Sequence, residues 1–424
     1  MDKLENTKPG NIKPGNIKFW QRAIALLDMN AFFASIEQRD FPYLLGKPVA
    51  ITNGMRGSCI ITCSYEARAY GVHTGMRVRD ALRICPDLVQ RPTRPKVYAK
   101  VSGNIMHNLK TICPDIEIFS VDEAFIDITP CQKLYGSPVD IAYRLKRSVY
   151  EASGLLCSLG LSGDKTTAKY AAKLNKPDGF TVVPPWQSKT FLQDVPVTEL
   201  CGIAKGIGHF LAQHGVHNCG DMEKLPISVL SQRFGNPGRR IWYMCQGRDP
   251  DPLHQAVAAP KTIGHGKVMP PNTLDRHVIL TYLQHMSSKV AARMRRHDFV
   301  ARTFWIGLRT RQGWIGCKSR LIDFNNDQRE IFQLCKTVLN LHWQGEGIHQ
   351  VQITALDPQE SETQMDMFSH TEGKETQQKL NATLDDINTR YGELCVAPAR
   401  LLGRSDMPNV IAPAWKPDGI RQTV

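Results

Sequence analysis

The chain has 424 residues, 42% of them hydrophobic, enough to build two to four cores rather than one. Fifty-three Lys plus Arg against 40 Asp plus Glu leave a net charge of +13 and a pI near 9.2, a long-range pull on a polyanion that by itself separates neither nucleic acid from anionic lipid nor either from simple solubility. No run of about 18 uncharged apolar residues appears, and the start, "MDKLENTKPGNIKPGNIKFW", lacks the apolar core of a secretory signal, so a cytoplasmic protein without a membrane span is expected.

Residues 1–20 carry a doubled "KPGNIKPGNIK" unit and read as a flexible basic arm outside the fold. "RAIALLDMNAFFASIEQRD" reads as a buried strand, Ala23 to Leu27, passing into a helix, with Asp28 where the strand ends. Acids at the carboxyl ends of central strands often serve a site, because the chain opens there toward a crevice. From Pro42 to Pro95 short strands and helices alternate ("VAITN", "CIITCSYEARAYGV", "RVRDALRIC"), and a long helix follows from about Lys96 to Ile112.

"FSVDEAFIDIT", Phe119 to Thr129, then sets Asp122 and Glu123 side by side among strand formers. On a regular strand neighbouring side chains point to opposite faces, so one acid would face the core at a high desolvation cost. Two short strands, Ile116 to Phe119 and Ala124 to Ile128, meeting in a turn at Val121 to Glu123 break that alternation and let both carboxylates point one way. A helix "DIAYRLKRSVYEASG", a strand "LLCSLGLS", a helix "DKTTAKYAAKLNK" capped by Asp164 and a strand "FTVVP" follow. The order β-α, an insertion, then β-β-α-β suits a split βαβ, ferredoxin-like sheet.

After "PPW" at 184–186 a small helical unit runs to about Arg248, and "DPDPLHQAVAAPK" reads as a Pro-rich linker. Residues 263–358 mix helix and strand, and the remainder reads as a tail. The twelve cysteines form no Cys-x-x-Cys pair and read as reduced side chains; the tight His214, His217, Cys219 cluster is not taken for a zinc site.

Asp28, Asp122 and Glu123 make three carboxylates at plausible strand ends. Hard divalent cations take such oxygens and leave room for substrate phosphates, so the set suits a two-metal phosphoryl transfer. Ordinary turn and cap acids are the competing reading. Thr62, Tyr65 and Arg68, three apart, would share one helix face, and a hydroxyl, a phenol and a guanidinium suit triphosphate oxygens. Lys165, Lys169 and Lys173 recur every four residues, a pattern that is usually a solvated face. "GLSGDKT" is not a Walker loop, which needs adjacent Gly and Lys.

Four segments in order resemble the Y-family DNA polymerases of the DinB and UmuC type, which perform translesion synthesis. "LLDMNAFFASIE" and "SVDEAFIDIT" resemble their first two palm motifs, "TCSYEARAYGVHTGM" the fingers segment between them, and "GLSGDKTTAKYAAKLNKPDG" a further palm segment. The likeness runs from about Ile24 to Leu356. It implies an α+β multidomain fold: a ferredoxin-like palm over 21–184 with fingers inserted at about 40–96, a helical thumb with a helix-hairpin-helix over 185–248, a linker over 249–262, an α/β little finger over 263–358 and a C-terminal tail over 359–424. It implies a DNA-directed DNA polymerase of low fidelity in DNA repair and the SOS response.

Carried to this chain, the resemblance implies that Asp28, Asp122, Glu123 and the carbonyl of Met29 bind two Mg²⁺ ions. Phe33 falls at the sugar gate, with Phe32 beside it in packing. Thr62, Tyr65, Arg68 and Lys169 fall at triphosphate positions. Asp164 stands where relatives usually show Asn, a negative charge near the site. "LCGIAKGIGHFLAQHGV" resembles the thumb hairpin through Gly202 and Gly206, with Ala204 where a second glycine is usual, which lowers αL freedom there. Lys289, Arg293 and Arg296, at i, i+4 and i+7 of a helix, with Arg302, Arg309, Arg311, Lys318 and Arg320, suit sequence-independent phosphate contact on primer-template DNA. "QMDMF", Gln364 to Phe368 with Met367, lies in a polar stretch read as disordered and resembles the peptide by which bacterial polymerases bind the sliding clamp. UmuC-type members also require an activating accessory protein. A metal-dependent nuclease and a catalytically silent DNA-binding scaffold stay open as alternatives.

Overall fold

In a computed structural model, residues 19–53, 59–256, 259–361 and 371–404 are described here. They fall into two units, divided near residue 257. Among the described residues no helix is long and apolar enough to cross a membrane.

The first unit opens with β1 (Ile24–Met29), α1 (Phe32–Asp40), β2 (Val49–Thr52), β3 (Ile60–Cys63), α2 (Tyr65–Ala69), α3 (Val78–Ile84), β4 (Val89–Pro92) and α4 (Pro95–Ile112). It continues through β5 (Ile116–Ile118), β6 (Glu123–Asp127), α5 (Gln132–Tyr135), α6 (Pro138–Ser153), β7 (Cys157–Ser162), α7 (Lys165–Leu174) and β8 (Phe180–Val182). One sheet has the order β5-β6-β1-β7-β8, so the first strand is central, and a three-stranded sheet β3-β2-β4 is inserted in sequence between β1 and α4.

β1 is a continuous apolar run, and both its faces are covered. Ala25, Leu27 and Met29 face a core shared with α1, α4 and α6. Ile24 and Leu26, with Phe125 of β6, face Ala168 and Ala172 of α7. The helix lies tight on this second face: a Cβ at Gly160 would fall 2.0 Å from the Ala168 carbonyl oxygen, so β7 carries glycine there. Asp164 caps α7, accepting from the Thr167 amide at 2.9 Å.

Short helices α8 (Ser188–Leu192), α9 (Lys205–Gln213), α10 (Ile227–Phe234) and α11 (Asn236–Met244) gather around Leu211, Met222 and Leu230. The segment read as a linker is instead fastened to this unit over residues 249–254. Asp249 is buried and pairs with Arg240 at 2.9 Å, Asp251 takes Lys165 at 2.6 Å, and the His254 amide donates to Glu117 at 3.0 Å. Buried acids and a buried lysine require partners, and this stretch supplies them to each other.

The second unit comprises β9 (Ile263–Thr273), α12 (Arg276–Arg296), β10 (Phe299–Arg309), β11 (Trp314–Asn325), α13 (Gln328–His342), β12 (Ile348–Ala355), β13 (Gln359–Glu360) and α14 (Thr371–Tyr391). Its sheet has the order β11-β10-β12-β9, with α12 and α13 packed on the face carrying Phe304, Ile306 and Leu308. Within the segment read as a tail, residues 371–404 are built into this unit. Asp385 of α14 pairs with Arg295 at 2.6 Å and Leu401 is fully buried. Buried Leu401, the two-pronged Arg295–Asp385 pair and the Lys289–Glu393 pair hold a segment whose mean composition is polar.

Candidate active site

Register brings two of the acids together. β1 and β6 pair antiparallel with Asp28 opposite Glu123, and opposed residues of such a pair share a face. That face also carries Ile24, Leu26 and Phe125, the side covered by α7. Asp122 lies in the turn before β6. Its carbonyl accepts the Met29 amide at 2.9 Å, and its carboxylate accepts the Ser120 hydroxyl at 2.6 Å. The Phe119 and Ser120 amides both reach the Glu123 carbonyl, at 3.0 and 3.1 Å, closing a turn in which strand alternation lapses. Met29 ends β1, buried.

The cost of this gathering is visible in the acids themselves. Burial, with Glu123 and Asp122 nearby, pushes the Asp28 carboxyl up to about 7 against the pull of Lys176, whose Nζ lies 2.5 Å from Oδ2. Burial and the Glu123 charge likewise raise Asp122, against the Ser120 hydroxyl. Lys169 Nζ lies 2.5 Å from Glu123 Oε2 and 4.4 Å over the Phe119 ring. Among the described residues no three His, Cys, Asp or Glu side chains are gathered closely enough to hold a metal ion. Two of the three carboxylates are turned onto lysines instead. The donor set, all carboxylate oxygen and short of positive partners, nonetheless has the chemistry a hard divalent cation takes.

Phe33 is buried and its ring stacks on Tyr98, centroids 4.3 Å apart at 12°, while Phe32 packs in the same core. Tyr98 is held in turn: its hydroxyl donates to Glu37 Oε1 at 2.9 Å, and fully buried Glu37 also takes Arg94 at 2.6 Å and Arg91 at 3.3 Å. Burial and the Glu37 charge raise the Tyr98 phenol far above its usual range, so it stays a donor.

Thr62, Tyr65 and Arg68 do not share a helix face. Thr62 lies in β3 and only Tyr65 and Arg68 belong to α2, because Ser64 caps that helix and starts it after Thr62. Arg68 stacks over the Tyr65 ring at 4.7 Å, and the Tyr65 hydroxyl lies 3.4 Å from Asn30 Nδ2. The lysine stripe splits by environment. Lys165 is buried against Glu117 and Asp251, Lys169 reaches Glu123, and exposed Lys173 pairs with Glu199. Asp164 does not add charge beside the acids: its strand ends opposite Ile24, four residues down β1 from Asp28, and its charged neighbours are Asp249 and Arg22.

In the helical cluster Gly202 takes φ +95°, the conformation glycine favours, and Gly206 sits in the first turn of α9 with open space around it. Ala204 is extended, φ −83°, as the residue preceding α9, so that position makes no αL demand and its missing glycine carries no penalty. Of the basic residues on α12, Lys289 is buried against Glu393 and Arg293 donates to the Gly264 carbonyl at 2.9 Å, so these two face protein. Arg296 is exposed, as are Arg309, Arg311, Lys318 and Arg320. Arg302 is half-buried, donating to the Leu321 carbonyl at 3.1 Å. Gln364, Met367 and Phe368 lie outside the described residues.

Three residues at the site escaped the sequence reading: Lys176, Tyr98 and Asn30. Asn30 is buried, donates to Ser158 at 2.9 Å and accepts from the Asp178 amide at 2.8 Å, joining the end of β1 to the turn after α7. Lys176 lies inside the quoted "AAKLNKPDG", two residues beyond Leu174, the last residue of α7, within reach of a reading that included Lys169; nothing in the sequence pairs Tyr98 with Phe33.

Paired acids on adjacent central strands under a lysine-bearing helix suit phosphoryl transfer. Comparison with known proteins makes it specific. Residues 27–173 match the impB/mucB/samB family and residues 260–367 its C-terminal domain. The chain belongs to that family, the Y-family resembled by its motifs. It is similar to the DNA polymerase IV of Moorella thermoacetica, 33% identical over 88% of this chain and 94% of that one, and to that of Desulfatibacillum aliphaticivorans, 31% identical over 90% and 97%. Among solved structures, a Y-family DNA polymerase chimera Dbh-Dpo4(243-245)-Dbh shares the fold with a TM-score of 0.69, covering 79% of this chain and 98% of that one at 22% identity.

Proposed function

We propose that this chain is a DNA-directed DNA polymerase of low fidelity that extends primers with dNTPs past damaged template bases. Membership in the family and the similarity to DNA polymerase IV along most of both chains support the reading. The observation that carries it at the level of chemistry is Asp28 facing Glu123 across β1 and β6, with Asp122 in the adjoining turn.

In this reading Asp28, Asp122, Glu123 and the Met29 carbonyl would hold two Mg²⁺ ions, and the chemistry such ions would supply is charge neutralisation on phosphate and a lowered pKa for an attacking hydroxyl. Lys169, Tyr65, Arg68 and Thr62 orient the triphosphate. Phe33, fixed on Tyr98, meets a ribose 2′-hydroxyl and favours deoxynucleotides. Lys169 and Lys176 pair with Glu123 and Asp28, which limits the repulsion among the acids in the free enzyme. The five-stranded sheet is the palm, the three-stranded insertion the fingers, the helical cluster after β8 the thumb and the second unit the little finger. The protein works in the cytoplasm on primer-template DNA, with Gly202, Gly206, Arg296 and Arg302 near its phosphates. An activating accessory protein belongs to this reading only if the chain lies on the UmuC side of the family.

Primer extension by the intact protein and by Asp122→Ala with Glu123→Ala tests the reading. Extension falling by at least about 10³-fold is expected, the scale for losing one preorganised electrostatic partner; undiminished synthesis sinks it, and degradation of DNA with metal but no dNTP favours a nuclease. The clamp peptide is tested apart: Met367→Ala with Phe368→Ala removes stimulation by the sliding clamp and spares basal extension, whereas retained stimulation refutes that role.

A further inference from the structure

Lys176 reaches Asp28 from the turn after α7, residues 175–179, whose backbone is unfavourable by itself. Asp178 takes φ +56°, a left-handed conformation that is costly for a residue with a side chain. Gly179 folds back so closely that a Cβ there would fall 2.1 Å from the Asn175 carbonyl oxygen. A turn of this kind keeps one shape only when other elements hold it.

Three contacts do so. The Asp178 amide donates to Asn30 Oδ1 at 2.8 Å, the Gly179 amide donates to Ser158 Oγ at 3.2 Å, and the Lys146 ammonium of α6 lies 2.8 Å from Asp178 Oδ1. The first two contacts are joined, since Asn30 Nδ2 donates to Ser158 Oγ at 2.9 Å. Ser158 stands opposite Asp28 in the β1 to β7 register, Asn30 follows the last residue of β1, and both are buried.

The backbone of Asn30 is fixed as well. Its amide donates to the Leu156 carbonyl at 3.0 Å, and its carbonyl accepts the Ser35 hydroxyl at 2.6 Å. Nδ2 also lies 3.4 Å from the Tyr65 hydroxyl. Every polar group of this buried residue has a partner, so its side chain cannot rotate without leaving several groups unpaired. The carboxamide is spent on a distant piece of backbone, the one that carries Lys176, and that piece lies beside Asp28 because Asn30 and Ser158 do.

We infer that Asn30 is a positioning residue: with Ser158 it pins the 175–179 turn so that the Lys176 ammonium is held against Asp28. The inference rests on the proposed function only for its kinetic readout.

The test joins a kinetic cycle to a chemical footprint on the full chain. In primer extension Asn30→Leu lowers kcat/KM for dNTP by about tenfold, as expected when the Asp178 amide loses a buried acceptor. Asn30→Asp keeps that acceptor and can take the Ser158 proton, and it recovers most of the loss. In a Lys176→Ala background Asn30→Leu changes kcat/KM by no more than about twofold, because the group it positions is gone. Labelling with acetic anhydride, read by mass spectrometry, modifies Lys176 at least about threefold faster in Asn30→Leu than in wild type, and by a smaller factor in Ser158→Ala, with exposed Lys189 unchanged. A loss on Asn30→Leu that is as large without Lys176 as with it means a merely structural role and overturns the proposal; so does Lys176 labelling at the wild-type rate in both variants. The footprint needs neither dNTP nor primer, so a wild-type protein that fails to extend primers counts against the polymerase reading and leaves this one to be decided by the labelling.

Discussion

The acids at the end of β1 and the cations of α12 are both gatherings of like charge, yet the molecule treats them in opposite ways. Asp28 and Glu123 are placed face to face by strand register, and Asp122 is delivered by a turn, so the repulsion is built in and is relieved only by Lys176 and Lys169 from outside the set. Lys289 and Arg293 share a face of α12, but that face is covered by protein: the lysine meets Glu393, just beyond α14, and the arginine the Gly264 carbonyl of β9. Burial and the neighbouring Lys267, Arg293 and Arg296 pull the Lys289 ammonium down to about 7. Charge that is concentrated and left short of partners marks a place for a ligand, whereas charge absorbed by its own fold is structural.

The comparison breaks most sharply at Asp28. Asp28→Asn is expected to cut extension by at least about 100-fold. In chelator-treated protein it should also raise stability at pH 8. A carboxyl pushed up to about 7 keeps its proton when folded, so wild type loses stability as pH rises from about 4 to 7, and asparagine does not. A gain of about 2 kcal/mol at pH 8, with none near pH 4, is the expected pattern in thermal melts; equal melts at both pH values would mean that the acids are not in conflict.

Tyr98→Phe comes next in size. It removes one hydroxyl bonded to a carboxylate, an interaction of about 1.5–3 kcal/mol that tethers the ring under Phe33. Ribonucleotide discrimination is expected to fall roughly fivefold to tenfold at unchanged kcat for dNTPs. A mere loss of stability would leave the ratio where it was.

The smallest effects separate the two kinds of cation on α12. Arg296→Ala should lower DNA affinity a few-fold and reduce the salt slope by about one. Lys289→Met should leave affinity unchanged and be neutral or mildly stabilising, because a buried charge is exchanged for an apolar side chain of similar length. Loss of DNA binding in Lys289→Met would return that residue to the interface.

Much of this was legible beforehand because it depended on local order. The strand entering Asp28, the turn at Asp122, the Asp164 cap and the α7 lysine period are properties of a few neighbouring residues, and the structure reproduces them with small shifts of boundary. Local period misleads where a solvent direction or a continuous element has to be known. A spacing of three links Thr62 to Tyr65 and Arg68 although Ser64 separates strand from helix. Lys289 falls on a basic stripe because helical period reports which residues share a face and not what covers it.

By itself the sequence determined the order of elements and the family, and it put forward the three acids, since each is written in contiguous motifs. Only the tertiary structure decided that Glu123 stands opposite Asp28, that Lys176 and not a second acid closes on it, that Glu37 and Tyr98 brace Phe33, and that residues 249–254 are fastened rather than free. These are pairings between residues far apart in the chain, set by register and by the need to partner buried charge, and no local pattern encodes them.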